Sequence, residues 1–121
     1  MAELTPDQIS VLFRALTNST VSFLNRTVGY EALTVSTNSI GLSNIPANAT
    51  NAYCIVESDN TSGPSIRFLT TGSAPTATTG NPRSANDTFD ILSKDDLQNF
   101  RVIRDTTHSG STMILHVTYF E

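Results

Sequence analysis

The run Met113–Tyr119 alternates without a break: Met113, Leu115, Val117 and Tyr119 hold one parity, and Ile114, His116 and Thr118 hold the other. Successive side chains on a strand point to opposite faces, so the run predicts a β-strand with the first four facing inward. A slip of one residue would expose all four, which ties the strand to one register. Upstream, Phe100-Arg-Val-Ile-Arg104 and a polar connector containing Gly110 complete the pattern of a β-hairpin with a longer loop. A chain written this way is committed to a sheet.

Other short apolar runs repeat the signal. Ala32–Ser36, Ile40–Leu42, Ala52–Glu57, Ser65–Leu69 and Asp87–Leu92 read as strands, and the turn at Asp59–Pro64 makes Ser65–Leu69 the expected partner of Ala52–Glu57. Ser93–Leu97 reads as a capped single turn of helix. Thr70–Asn86, broken by Gly72, Pro75, Gly80 and Pro82, reads as a long loop with at most a short strand at Thr76–Thr79. Closely spaced strands separated by turns predict a mainly β chain, a single antiparallel β-sandwich or jelly-roll-like domain over 29–121. Its expected core is Leu33, Val35, Tyr53, Ile55, Ile66, Phe68, Phe89, Ile91, Val102, Leu115 and Val117.

The first 28 residues carry a different period. Thr5-Pro6-Asp7-Gln8 combines a cap, a proline suited to the first helical position and capping-box spacing. Ile9, Leu12, Phe13 and Leu16 then form one apolar stripe, so the segment predicts an N-terminal amphipathic helix. Thr17–Thr20 should weaken it; beyond them Phe23, Leu24 and Val28 would extend the stripe. A closed sandwich buries its own inner faces, so this helix needs another apolar surface. Ile9, Leu12, Phe13 and Leu16 are therefore candidate partner-binding residues, as are Arg67 and Arg101 on the expected strands.

At 121 residues the chain fits one domain. A net charge of −4 and seven scattered basic residues leave no basic stripe, so nucleic-acid binding is not expected. No apolar run approaches membrane-spanning length, and the start lacks the basic-then-apolar pattern of a secretion signal. The five Asn-x-Ser/Thr sequons, at Asn18, Asn25, Asn48, Asn60 and Asn86, then follow from composition. The single cysteine, Cys54, is expected to be reduced and buried in its apolar run.

The residues expected for catalysis are missing. His116 alternates with core residues on a strand, and a structural or surface role is expected. Asp105, His108 and Ser109 are too close in one turn to take triad geometry. Asp87, Asp90, Asp95 and Asp96 lack the closing Glu of a calcium loop, and Asp95 and Asp96 suit the positive end of the short helix. No cofactor, metal or catalytic residue is assigned. Arg101 and Arg104 should leave their strand on opposite faces, with one arginine pairing internally with Asp87 or Asp90.

The ordered phrases Ser65-Ile-Arg-Phe68, Gly72-Ser-Ala-Pro-Thr-Ala77, Leu97-Gln-Asn-Phe-Arg-Val-Ile-Arg104 and Leu115-His-Val-Thr-Tyr119, with Tyr30–Ser36 and Gly41-Leu42 before them, resemble a group of small virion structural proteins of tailed bacteriophages. The resemblance spans Tyr30 to Tyr119. It implies a β-sandwich module with no catalytic motif, assembled in the bacterial host and carried in the virion. The expected partners are other virion proteins, a major capsid protein or tail and connector subunits, together with further copies of the chain itself. Thr70-Thr71 stands before Gly72 where many relatives place an acidic residue, which counts against a cation in that loop. A capsid auxiliary or decoration protein is the first expectation and a tail or head–tail connector component the second. A host-surface carbohydrate-binding module is the third, poorly served by three tyrosines and no tryptophan.

Overall fold

A computed structural model describes residues 26–108 and 110–121. Within them, two four-stranded antiparallel sheets face each other. The first contains β1 (Thr27–Thr34), β3 (Asn51–Ser58), β6 (Thr88–Ile91) and β8 (Met113–Phe120), in the order β1-β8-β3-β6. The second contains β2 (Ile40–Gly41), β4 (Ile66–Leu69), β5 (Asn81–Arg83) and β7 (Arg101–Arg104), in the order β2-β7-β4-β5. These are the strand orders of a jelly roll, two Greek keys wound into a double sheet. The one described helix, α1 (Lys94–Asn99), starts where the Ser93 hydroxyl accepts the Asp96 amide and carries Asp95 and Asp96 in its first turn.

β8 is the centre of the first sheet, flanked by β1 and β3. Its expected inward residues, Met113, Leu115, Val117 and Tyr119, are all buried. Both expected hairpins are absent. β7 and β8 lie in different sheets, as do β3 and β4, because each connector crosses from one layer to the other. Asp59, at the end of β3, holds the β7–β8 connector: its carboxylate accepts the backbone amides of Ser111 (2.9 Å) and Thr112 (3.0 Å). These bonds keep the Asp59 carboxyl below its usual range.

The register of β8 also fixes the face of β3. Cys54 pairs with Val117 and Val56 with Leu115, so Ala52, Cys54 and Val56 turn inward. Tyr53 and Ile55, expected in the core, face outward instead. β5 lies inside the expected loop; Pro82 sits on this edge strand, where its missing amide is tolerated. Thr76 and Thr79 form an isolated bridge and not a strand. β1 begins at Thr27, so Val28 belongs to a strand and the expected boundary at 28/29 falls inside it. Its β-branched and aromatic start pairs with the end of β8. The predicted helix with Ile9, Leu12, Phe13 and Leu16 lies outside the described residues.

The remaining expected core residues are buried, joined by Leu97, Phe100, Met113 and Tyr119. Phe68 of one sheet stacks on Phe89 of the other with centroids 4.3 Å apart, and Phe100 packs beside both. Arg83 covers this cluster at the open edge, its guanidinium carbon 5.2 Å from the Phe68 centroid. A buried carboxylate, Glu31, closes the other end. It accepts the Tyr119 hydroxyl (2.6 Å), the Ser43 amide (3.0 Å) and hydroxyl (2.8 Å), and the Asn44 amide (2.8 Å). Burial alone would raise the Glu31 pKa, but these donors together bring it below its ordinary value.

Candidate functional site

The outer faces of the two sheets differ. On the second sheet, Arg67, Leu69, Arg101 and Ile103 share the outward parity, as the pairs Arg67↔Ile103 and Leu69↔Arg101 require. Arg104 takes the opposite parity from Arg101, as expected. The loop over 70–80 folds back across this outer face. Thr106 donates its amide to Ala77 O, Gly72 donates to Asn99 O, and Pro75 is buried. Gly80 lies so close that a Cβ there would meet the Arg67 side chain, the Phe68 carbonyl and Pro75, at a positive φ that disfavours side chains.

The domain's own loops engage both arginines nominated as partner-binding, the roof holding Arg67 and the turn at Ser39 holding Arg101. Arg67 Nε donates to Asp105 Oδ2 at 2.5 Å, and its Nη1 donates to Gly80 O at 3.0 Å. Its ion-pair partner is Asp105, not Asp87 or Asp90. Asp105 is buried, which would raise its pKa. Thr107, through its amide and hydroxyl, and Arg67 outweigh that, so the carboxyl lies below its usual range. Arg101 Nη2 donates to Ser39 O and Oγ, both at 3.1 Å. Both guanidinium groups thus hold the domain's own loops. Asp105 is committed to Arg67 and Thr107, and burial followed by the charge of Arg104 lowers the His108 pKa.

The outer face of the first sheet has no such roof among the described residues. Adjacent registers place Tyr30, Thr118, Tyr53 and Asp90 in one row across the four strands. Ala32, His116, Ile55 and Thr88 form the next row, and Thr34, Ile114 and Glu57 the row after it. Leu92 continues the outward alternation of β6 just past its end. Exposure reaches 58% at Tyr30, 38% at Tyr53, 40% at Ile55 and 76% at Leu92, and these are the large apolar residues the described chain leaves exposed. All four lie on this one face. A solvent-facing sheet ordinarily alternates apolar-in with polar-out. This one carries large exposed apolar side chains among the polar ones on its outer side.

Three polar side chains join across its centre. Glu57 Oε1 lies 2.7 Å from His116 Nε2, while the Tyr30 hydroxyl is bonded to His116 Nδ1. The carboxylate can only accept, so Nε2–H donates to Glu57, and Nδ1 shares the second bond with the Tyr30 hydroxyl. The Tyr30 and His116 rings stack at 5.9 Å and 22°. The triplet bridges β1, β8 and β3 and fixes the orientation of the Tyr30 ring. It lies across the open face of the sheet, where its groups can contact a partner surface.

The residue pattern had offered one usable signal for this face. Tyr53-Cys54-Ile55-Val56 is apolar on both parities, and in a two-layer fold only one parity can face the core. A distinct polar cleft of about 330 Å³ lies between the loops at Asn60–Gly63 and Ser84–Asn86. Asn60 is buried there, with its Nδ2 donating to Ser62 O and Pro64 O, so its sequon is closed to a glycan. Among the described residues no group of three His, Cys, Asp or Glu side chains is placed to hold a metal ion, and no helix is long and apolar enough to cross a membrane. Comparison with protein-family models, curated proteins and solved structures finds no match to this chain.

Proposed function

We propose that this chain is a non-enzymatic structural protein of a tailed bacteriophage particle, a capsid auxiliary or decoration protein that docks through the outer face of its first sheet. The observation that carries the reading is that Tyr30, Tyr53, Ile55 and Leu92, the exposed large apolar residues, share one face left uncovered among the described residues, since clustered exposed apolar side chains on a folded domain mark an interaction site. Aromatic anchors beside a few oriented polar groups are the usual make-up of an interface centre. Jelly rolls recur among viral capsid domains, an analogy of fold that agrees with the resemblance of Tyr30–Tyr119 to phage virion proteins.

The test is the composition of purified particles from cells that make the chain. The protein should copurify at a fixed ratio to the shell protein. Ile55→Glu should abolish this while leaving the far-ultraviolet circular dichroism unchanged. Recovery only in the soluble fraction refutes the reading. A ratio typical of a single ring at one vertex replaces it with the connector alternative. Jelly rolls also occur among lectins, and Tyr30 and Tyr53 are exposed aromatics, so glycan binding lost in Tyr30→Ala and Tyr53→Ala would favour host recognition instead.

A further inference from the structure

The two turns that flank the polar cleft are held from behind and leave their own side chains unspent. On one side, buried Asn60 ties down the Ser62 and Pro64 carbonyls through Nδ2, and the Thr107 hydroxyl donates to Pro64 O at 2.8 Å. On the other, the Asp87 carboxylate accepts the Ser84 amide at 2.7 Å, and the Asp87 amide donates to Ser84 O. The Asn86 amide donates to Val56 O, which fixes this turn to β3. Among the described residues, the side chains of Thr61, Ser62, Ser84 and Asn86 line the cleft with no hydrogen-bond partner in the domain. Asn86 is also the one described non-glycine residue at positive φ, +68°. Glycine takes that conformation at less cost, so a side chain kept there has a use that offsets the strain.

We infer that this cleft binds a single uncharged sugar unit, held edge-on by hydroxyl and carboxamide hydrogen bonds. The lining selects the ligand by elimination. Among the described residues it carries no charged side chain and no large apolar one. A charged group would lose its hydration there without a counter-charge, and an apolar group would leave the polar lining unpaired. A nucleobase needs an aromatic or guanidinium platform, and the lining has neither. Peptides take their affinity from a strand edge or an apolar groove, whereas this cleft lies between two turns. A pyranose fits. Each of its hydroxyls both donates and accepts, which is what serine, threonine and asparagine side chains offer in return. A cleft of about 330 Å³ stands at the small end of ligand sites, with room for one ring.

The position suits display. The cleft lies where β3 ends at Ser58 and β6 begins at Thr88, at one end of the double sheet. None of its residues belongs to the Tyr30–Tyr53–Ile55 face, so a chain docked through that face presents the same open end as a free one. The site therefore does not depend on the docking reading.

The test titrates the isotope-labelled full chain with the methyl glycosides of glucose, galactose, mannose and N-acetylglucosamine, followed by amide chemical shifts. At least one should bind saturably with a Kd in the millimolar range, the affinity open to about a dozen heavy atoms. The shifts should centre on Thr61–Gly63 and Ser84–Asn86. Asn86→Gly keeps the turn and removes the carboxamide. It should weaken binding by about threefold or more, the effect of one lost hydrogen bond, and leave the rest of the spectrum unchanged. Ser84→Ala should weaken it similarly, and glucuronate should bind more weakly than the neutral glucoside. No saturable shift with any of the four sugars overturns the inference, as does binding that survives both substitutions intact. Shifts gathered at Tyr30 and Tyr53 overturn it too and favour host recognition by the first sheet. A capped triglycine that moves the cleft amides more strongly than every sugar makes this a peptide site and also overturns it. Copurification with particles, kept or lost, bears on the docking reading alone.

Discussion

Replacing Tyr119 with Phe removes one oxygen from the interior, and the structure states what that oxygen does. Tyr119 is fully buried, and its hydroxyl donates to Glu31 at 2.6 Å. A hydrogen bond to a charged group contributes about 1.5–3 kcal/mol, and Glu31 keeps its three bonds from Ser43 and Asn44 in the variant. Tyr119→Phe should therefore cost about 1.5–3 kcal/mol at pH 7, which for a domain of this size lowers the melting temperature by about 5–15 °C. The dependence on pH is the sharper test. The native pKa of Glu31 is depressed, so its contribution is complete above the unfolded carboxylate value and is lost as pH falls through the native one. In the variant one depressing partner is gone while burial remains, so the native pKa rises. Burial followed by the bond to Glu31 raises the Tyr119 hydroxyl's own pKa, so it stays protonated throughout. The gap between the two proteins should thus shrink as pH falls through the depressed native Glu31 value, toward the roughly 0.5–1.5 kcal/mol of a neutral hydrogen bond. Urea unfolding followed by circular dichroism at pH 7, 5 and 3 measures it. A gap below about 0.5 kcal/mol at pH 7, or one that widens as the solution is acidified, would refute this account of the buried carboxylate.

Leu115→Ala should destabilise by about 2–5 kcal/mol, because Leu115 is fully buried at the centre of the middle strand; a loss under about 0.5 kcal/mol in urea would count against the β8 register. Burial, and then the Asp90 carboxylate, push the Cys54 thiol up to about 12, so the native protein should resist thiol reagents until it unfolds, and prompt labelling in buffer would contradict the packing of β3. Arg67→Ala strands the buried Asp105 and frees Gly80 O, and should cost about 1.5–3 kcal/mol in chemical denaturation. Arg67→Lys should not restore the loss, since one ammonium cannot reproduce the Nε and Nη1 contacts; full rescue by lysine would show that charge alone matters there.

The sequence was legible where a pattern had a single solution. Met113–Tyr119 could be placed because its two parities differ in polarity. Ala52–Val56 could not, because both parities are apolar and only pairing with Leu115 and Val117 decides between them. The hairpins failed for a related reason: adjacency along the chain favours pairing between neighbours, but a double sheet sends β3 to β8 and β7 to β4. β5 was hidden by Pro82, which is a breaker in a central strand and harmless on an edge. Arg67 and Arg101 were visible as charges, yet their acceptors include backbone oxygens of Gly80 and Ser39, which no residue pattern announces. Tyr30, His116 and Glu57 meet only through long-range register, so their triplet could not be read from spacing.

The place of β8 between β1 and β3 also sets a schedule. The strands of the second sheet, β2, β4, β5 and β7, have all been synthesised before β8 begins, so that sheet can pair while the chain is still growing. The first sheet must wait. β3 can pair with β6 early, but β1 has no neighbour until the last strand arrives, and the Tyr30–His116 contact joins residues 86 positions apart. Long-range pairing of this kind slows folding toward the millisecond-to-second range, and unpaired strands are open to wrong partners meanwhile. A ribosome-bound chain halted before Met113 should hold a formed second sheet and a β3–β6 pair beside an unpaired β1, and the open edges of β1 and β3 should bind chaperones. Extending it past Phe120 should release them together.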